Sequence, residues 1–351
     1  MRPTRRIARA SAALTIALLC SPVGRQAPAQ EASTVPYPAL GSIEVKDDRL
    51  RDVIPEGEPL RILASGFEWS EGPVWWGEKG ALLFSDIPRN TVFLWTEAGG
   101  IQTYLKPSGY TGSAAFTGQE PGSNGLLFGP DGRLILCQHG DRRVSRLGED
   151  GSFETLADAY DGKRLNSPND AVLKSDGSLY FTDPPYGLPG NVDDPEKELD
   201  FQGVYRLSPD GELTLLTEEM SRPNGIGFSP DEKTLYVANS DPERAIWMAF
   251  PVNEDGTLGE GKAFADVTDR VGKLKGLPDG LAVSRDGTIF ATGPGGVLVF
   301  SPDGTELGAI LTGEATANCT LGGEDGSTLF VTADMYLCRI PTKVTRIGGG
   351  E

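Results

Sequence analysis

Histidine is nearly absent: a single one, His139, stands among 351 residues. A multi-histidine zinc centre is thereby excluded, and any Ser-His-Asp catalysis would have to rest on that one ring. No Gly-x-Ser-x-Gly elbow occurs, and no phosphate-binding loop or dinucleotide fingerprint stands out. Basic residues are in deficit, 32 Lys and Arg against 50 Asp and Glu, for a formal net charge of −18. Phosphate backbones demand clustered cations, so nucleic acid is not an expected partner. The acidity suits solubility and the attraction of cations. Cysteine is sparse, at four residues. Beyond Cys20, the odd set of Cys137, Cys319 and Cys338 cannot pair completely within one chain. Each lies in an apolar, strand-like run, which points to buried, inert thiols.

Long apolar runs are also lacking. Residues 10–20 form one that is too short for a normal membrane span. It follows Arg2, Arg5, Arg6 and Arg9 and precedes the small-residue stretch Ala27-Pro28-Ala29. Residues 1–29 therefore read as a signal peptide, and the expectation is an exported protein, periplasmic or secreted, with no span in the mature chain. Arg5-Arg6 hints at twin-arginine export, but the residues after the pair match that signal poorly.

What is present is turn chemistry: 46 Gly and 26 Pro are spread along the chain. They punctuate one pattern that recurs six times. A polar residue opens an apolar strand, a tight turn follows, and a strongly β-prone strand comes next. The openings are Glu71-Gly72-Pro73, Asn124-Gly125-Leu126, Asn169-Asp170-Ala171, Asn224-Gly225-Ile226, Asp279-Gly280-Leu281 and Asn318-Cys319-Thr320. The turns read Asp131-Gly132, Asp176-Gly177, Asp231-Glu232, Asp286-Gly287 and Asp325-Gly326, with Glu78-Lys79-Gly80 in the first copy. Asp-Gly between apolar runs marks a hairpin, because Gly accepts positive φ. Third strands follow in all six copies and fourth strands in five. The unmatched strand, residues 60–63, precedes the first copy and would complete the sixth. Four strands per unit and a leftover strand at the start predict an all-β, six-bladed propeller over residues 59–345, its antiparallel blades closed by the N-terminal strand. Residues 30–58 are left as an N-terminal extension.

In a propeller the innermost strands line the axis. The repeat predicts that Glu71, Asn124, Asn169, Asn224, Asp279 and Asn318 ring one end of the channel. Two carboxylates and four amides offer oxygen ligands only, which suits a hard divalent cation such as Ca²⁺. Neutral amides among the donors and an extracytoplasmic setting favour calcium, with Mg²⁺, Mn²⁺ or Zn²⁺ as alternatives. Two insertions, residues 107–123 and 183–202, should overhang the same end, and His139 should lie near its rim. Long loops over a polar pocket often become its walls.

Several stretches together resemble the SMP-30/gluconolactonase family, in the form seen in bacterial gluconolactonases. They are Glu71-Gly72-Pro73-Val74-Trp75, Cys137-Gln138-His139-Gly140, Asn166-Ser167-Pro168-Asn169-Asp170, Thr182-Asp183-Pro184-Pro185-Tyr186-Gly187, Arg222-Pro223-Asn224-Gly225 and Pro278-Asp279-Gly280. The resemblance implies that Glu71, Asn169, Asn224 and Asp279 hold the metal and that Asp279 is the general base. Asn124, His139, Asn169 and Tyr186 are the candidate substrate contacts. Animal members carry an Arg where this chain has Ser167, so that contact does not carry over; Arg164 is a candidate substitute. The implied activity is hydrolysis of a sugar lactone, with glucono-1,5-lactone as the leading substrate. Phosphotriester or phosphofluoridate hydrolysis on the same metal, and a non-enzymatic propeller binding a protein or glycan, are the alternatives.

Overall fold

The computed structural model describes residues 37–348; the expected signal peptide lies outside the described residues. Each repeat folds as an antiparallel meander of four strands. Blade 1 comprises Ser70–Trp76, Ala81–Asp86, Thr91–Thr96 and Gly100–Leu105, and blade 2 Ser123–Phe128, Leu134–Gln138, Arg143–Leu147 and Phe153–Ala157. Blade 3 comprises Ala171–Leu173, Leu179–Asp183, Gly203–Leu207 and Leu213–Thr217, and blade 4 Pro223–Phe228, Thr234–Asp241, Arg244–Pro251 and Lys262–Asp266. Blade 5 comprises Leu281–Val283, Ile289–Gly293, Gly296–Phe300 and Glu306–Leu311, and blade 6 opens with Thr316–Gly322, Thr328–Ala333 and Tyr336–Pro341. The first hairpin of each blade turns as its sequence dictates. Gly132, Gly177, Gly287 and Gly326 take φ of +74°, +86°, +87° and +73°. The preceding aspartates accept backbone N–H bonds from Arg133, Ser178, Thr288 and Ser327, two residues on. Blade 4 lacks the Gly, and Glu232 takes the left-handed conformation instead, at φ +55°.

The N-terminal strand closes the ring. Leu60–Ser65 pairs antiparallel with Tyr336–Pro341, placing Arg61 opposite Arg339 and Ile62 opposite Cys338. It is the fourth strand of blade 6 but not its edge, because Ala39–Leu40 pairs outside it. Ser42–Val45 adds a fifth strand to blade 5 by pairing with Glu306–Leu311. Part of the N-terminal extension is thus built into the sheets. The turn of helix Leu50–Val53 carries the chain between these pairings, with Leu50 and Val53 buried.

Apolar side chains of neighbouring blades fill the seams. Phe330 of blade 6 stacks on Trp75 of blade 1 at 5.4 Å and meets Trp95 at 5.8 Å. Trp247 of blade 4 meets Phe300 of blade 5 at 5.6 Å. Cys137, Cys319 and Cys338 are all buried and unpaired. Burial pushes their thiols up, that of Cys338 to about 12, so they behave as small apolar fillers.

Around the axis the inner strands approach backbone to backbone, and this explains the glycine after so many of the ring residues. A Cβ on Gly72 would sit 2.0 Å from the carbonyl oxygen of Asn124, and one on Gly225 would sit 2.3 Å from that of Asp279. Hydrogen bonds cross the same seams. The hydroxyls of Ser85, Thr182 and Thr292 donate to the carbonyls of Asn124, Asn224 and Ala317, each at 2.8 Å. The N–H groups of Gly125 and Gly280 donate to Asn169 and Ala317, at 2.7 and 2.8 Å. No helix among the described residues is long and apolar enough to cross a membrane.

Candidate active site

Five of the six expected ring residues meet at one mouth of the channel. Glu71, Asn124, Asn169, Asn224 and Asp279 line a cavity of about 210 Å³ together with Trp69, Glu120, Tyr186, Ser240 and Leu277. Asn318 does not join them. The hydroxyl bonds across the seams show why: Thr292 donates to Ala317, as Ser85 and Thr182 donate to Asn124 and Asn224. Ala317 therefore occupies the sixth ring position, and the sequence phase of the last copy is off by one residue. The Asn318 side chain lies one step further along the channel. There it shares with Asp170 the wall of a second cavity, of about 400 Å³, that Glu71 and Asp279 do not line. Its amide offsets part of the rise that burial imposes on the carboxyls of Glu71 and Asp170.

The electrostatics of the mouth are those of crowded acids. Burial pushes the Glu71 carboxyl above its ordinary range, and Asp170 and Glu120 add to the shift. Asp279 is pushed up first by burial, then by Glu71, Asp170 and Glu120. Burial moves Asp170 to about 6. Two buried oxygens, Asp279 Oδ1 and Asn124 Oδ1, have no hydrogen-bond partner. Like charges packed together with orphaned oxygens are unfavourable unless a cation or donor completes them. No cluster of three or more His, Cys, Asp or Glu suited to a metal occurs among the described residues. The donor set of the mouth is instead carboxylate plus amide, and it fits a hard cation.

The remaining candidates divide. Tyr186, from the loop of residues 183–202, lines the cavity. Burial and then Asp279 hold its phenol well above the usual range, so it remains an O–H donor. His139 was expected at the rim and lies behind the wall instead. It is fully buried, and its Nδ1 is 2.9 Å from Glu120 Oε2, so the loop of residues 107–123 covers it. Ser167 is buried as a scaffold for the other loop, donating to the Pro184 carbonyl and accepting from the Gly187 N–H. Arg164 is no substitute contact. It is exposed and donates to the Asp141 carbonyl, outside the cavity. Trp69, Glu120, Ser240 and Leu277 are the cavity residues that sequence reasoning missed, Glu120 because it sits in an insertion where the repeat gives no phase.

A six-bladed propeller whose axis ends in a small, acidic, oxygen-lined cavity defines a class of small-molecule site at a propeller mouth. The model of the SMP-30/Gluconolactonase/LRE-like region matches residues 69–334, and the chain belongs to this family. It is 40% identical over 316 residues to the gluconolactonase of Zymomonas mobilis, covering 87% of each chain. Among solved structures, a Xanthomonas campestris gluconolactonase superposes with a TM-score of 0.74 at 33% identity, covering 88% of this chain and 99% of that one. The calcium-binding protein regucalcin of Agrobacterium tumefaciens shares the fold, with a TM-score of 0.65 at 20% identity over 82% of this chain and 95% of its own.

Proposed function

We propose that this protein hydrolyses a sugar lactone to the aldonic acid, with glucono-1,5-lactone as the leading substrate, and that it uses one divalent cation, calcium favoured. The observation that carries the reading is the convergence of Glu71 and Asp279 with three amides in a cavity of about 210 Å³. That volume lies below the roughly 300–1,000 Å³ of drug-sized pockets, which suits a single sugar ring and not a polymer or a protein segment. The relation to the Zymomonas mobilis gluconolactonase extends over most of both chains and supports the same substrate class.

Glu71, Asn169, Asn224 and Asp279 would hold the cation. Bound there, it would supply Lewis-acid polarisation of the lactone carbonyl and charge stabilisation as that carbonyl becomes an oxyanion. The protein's own groups do the rest. Asp279 Oδ1, buried and unpartnered, takes a proton from the water that attacks the carbonyl carbon. As the ring C–O bond breaks, the proton returns to the departing ring oxygen, which becomes a hydroxyl. Trp69 and Leu277 form apolar walls that limit water, and Tyr186 offers its hydroxyl to the substrate. The basic and apolar leader in residues 1–29 supports export to the periplasm or beyond.

Asp279→Asn should retain the fold and lose most lactonase activity, read by acid release from glucono-1,5-lactone. Full activity in that variant removes the assignment. Chelation should abolish turnover, and reconstitution with single metals should restore it with Ca²⁺; restoration by a transition metal alone counts against calcium.

A further inference from the structure

We infer that Glu120 reads the hydroxyl groups of the substrate and that His139, which does not reach the cavity, is the positioning residue that aims it. The inference rests on the sugar-lactone reading and names what in the site selects a polyhydroxylated ring.

Glu120 stands on the loop of residues 107–123 and lines the cavity beside Glu71, Asn124 and Asp279. Its side chain is 30% exposed, whereas that of His139 is 0% exposed. Oε2 accepts the hydrogen bond from His139 Nδ1 at 2.9 Å; Oε1 has no partner among the described residues. No Lys or Arg pairs with this carboxylate among the described residues. A carboxylate placed among other acids, with no Lys or Arg beside it, needs donors from elsewhere. Vicinal hydroxyls of a sugar ring are such donors, and a charged acceptor makes those hydrogen bonds stronger than neutral ones.

The backing is built to hold one orientation. Both ends of the loop are pinned. Asn90 accepts from the N–H groups of Ser108 and Gly109 and donates to the Tyr110 carbonyl. At the other end the Gly122 N–H donates to Ile87, and the His139 N–H donates to Gly122. The second loop closes over the histidine at Gly187, where an added Cβ would lie 2.7 Å from His139 Cβ. Nε2 of His139 is buried with no partner. The ring thus makes one side-chain hydrogen bond, and it goes to Glu120. A histidine buried only for packing has no reason to face a carboxylate on a cavity wall.

The test compares glucono-1,5-lactone with δ-valerolactone, a six-membered lactone without hydroxyls, as the ratio of their kcat/KM values. Glu120→Ala should lower that ratio by about 10- to 100-fold, the scale set by losing charge-assisted hydrogen bonds. The loss should fall mainly on KM, and Glu120→Gln should lower the ratio less. His139→Leu should lower the ratio in the same direction, and His139→Gln, which keeps an N–H donor, should recover part of it. An unchanged ratio in Glu120→Ala overturns the inference while leaving the lactonase reading intact. So does a loss in His139→Leu that is equal for both lactones. Wild-type protein that hydrolyses neither lactone overturns the lactonase reading, and this inference with it.

Discussion

The contact between the inner strands of blades 4 and 5 can be tested with one methyl group. Gly225 does not have positive φ, so Gly225→Ala adds no backbone strain and acts by volume alone. The new Cβ would lie 2.3 Å from the Asp279 carbonyl oxygen and 2.6 Å from Gly280 Cα. Ordinary contact begins about 1 Å further out, so the strands must separate by that amount or the blades must twist. Neither neighbouring atom is the end of a flexible side chain, so the strain cannot be relieved locally. Overpacking of this kind costs about 1–3 kcal/mol, a fall of roughly 2–6 °C in Tm for a domain of this size. The atoms pushed aside belong to Asp279 and to Gly280 next to it, and a displacement of about 1 Å costs on the order of 10²-fold in rate. Thermal melts followed by circular dichroism, with kcat for glucono-1,5-lactone, read both effects. Gly132→Ala is the control. Its φ of +74° strains the added methyl, nothing lies near it, and its hairpin is on the opposite face. That variant should lose stability and keep kcat. Wild-type Tm and kcat in Gly225→Ala, or an equal loss of kcat in Gly132→Ala, would refute the reasoning.

Deleting residues through Ser65 removes the fourth strand of blade 6 and the fifth strand of blade 5, so the cooperative melt should disappear, whereas deletion through Ala29 should leave Tm unchanged in the same circular dichroism assay. Phe330→Ala empties the seam between blades 6 and 1 and should cost about 3–5 kcal/mol in urea denaturation. Divalent cation at about 100 times its Kd should stabilise the protein by about 2.7 kcal/mol, seen as a rise in Tm in scanning fluorimetry, because it binds the folded site and not the unfolded chain. Glu71→Gln should blunt that gain, and a Tm indifferent to both cation and chelator would remove the metal from the site.

The propeller was legible because its signals are local and repeat. Period-two strands, Asp-Gly hairpins and a polar residue opening the inner strand recur often enough to fix the blade number, and the phase of five of the six copies. Glu71, Asn124, Asn169, Asn224 and Asp279 could be placed in one cavity for the same reason. Asn318 was misplaced because Ala317 carries no polar signal at the ring position, and the amide one residue on mimics the polar residue that opens the other copies. Ala39–Leu40 and Ser42–Val45 were not read as strands, being too short for alternation to show; their pairing is set by the sheet edges they cover. Glu120 and the burial of His139 depend on how one long insertion folds back over blade 2. Nothing in the spacing of residues 107–123 encodes that path. It follows from distant partners such as Asn90 and Ile87.

The carbonyl groups of Asn124, Asn169, Asn224 and Ala317 accept bonds from the preceding blade, so residues at the mouth are also the fastenings of the ring. Binding loops and active-site lids are commonly drawn from the least stable parts of a structure, so activity can be lost before the scaffold unfolds. Here the two events share the same bonds. Inactivation and unfolding should coincide on a temperature ramp, and the innermost amides should be the last to exchange with deuterium. A substrate cannot be admitted by parting the blades, so the exchange of lactone for acid should run through the mouth lined by Glu120 and Tyr186.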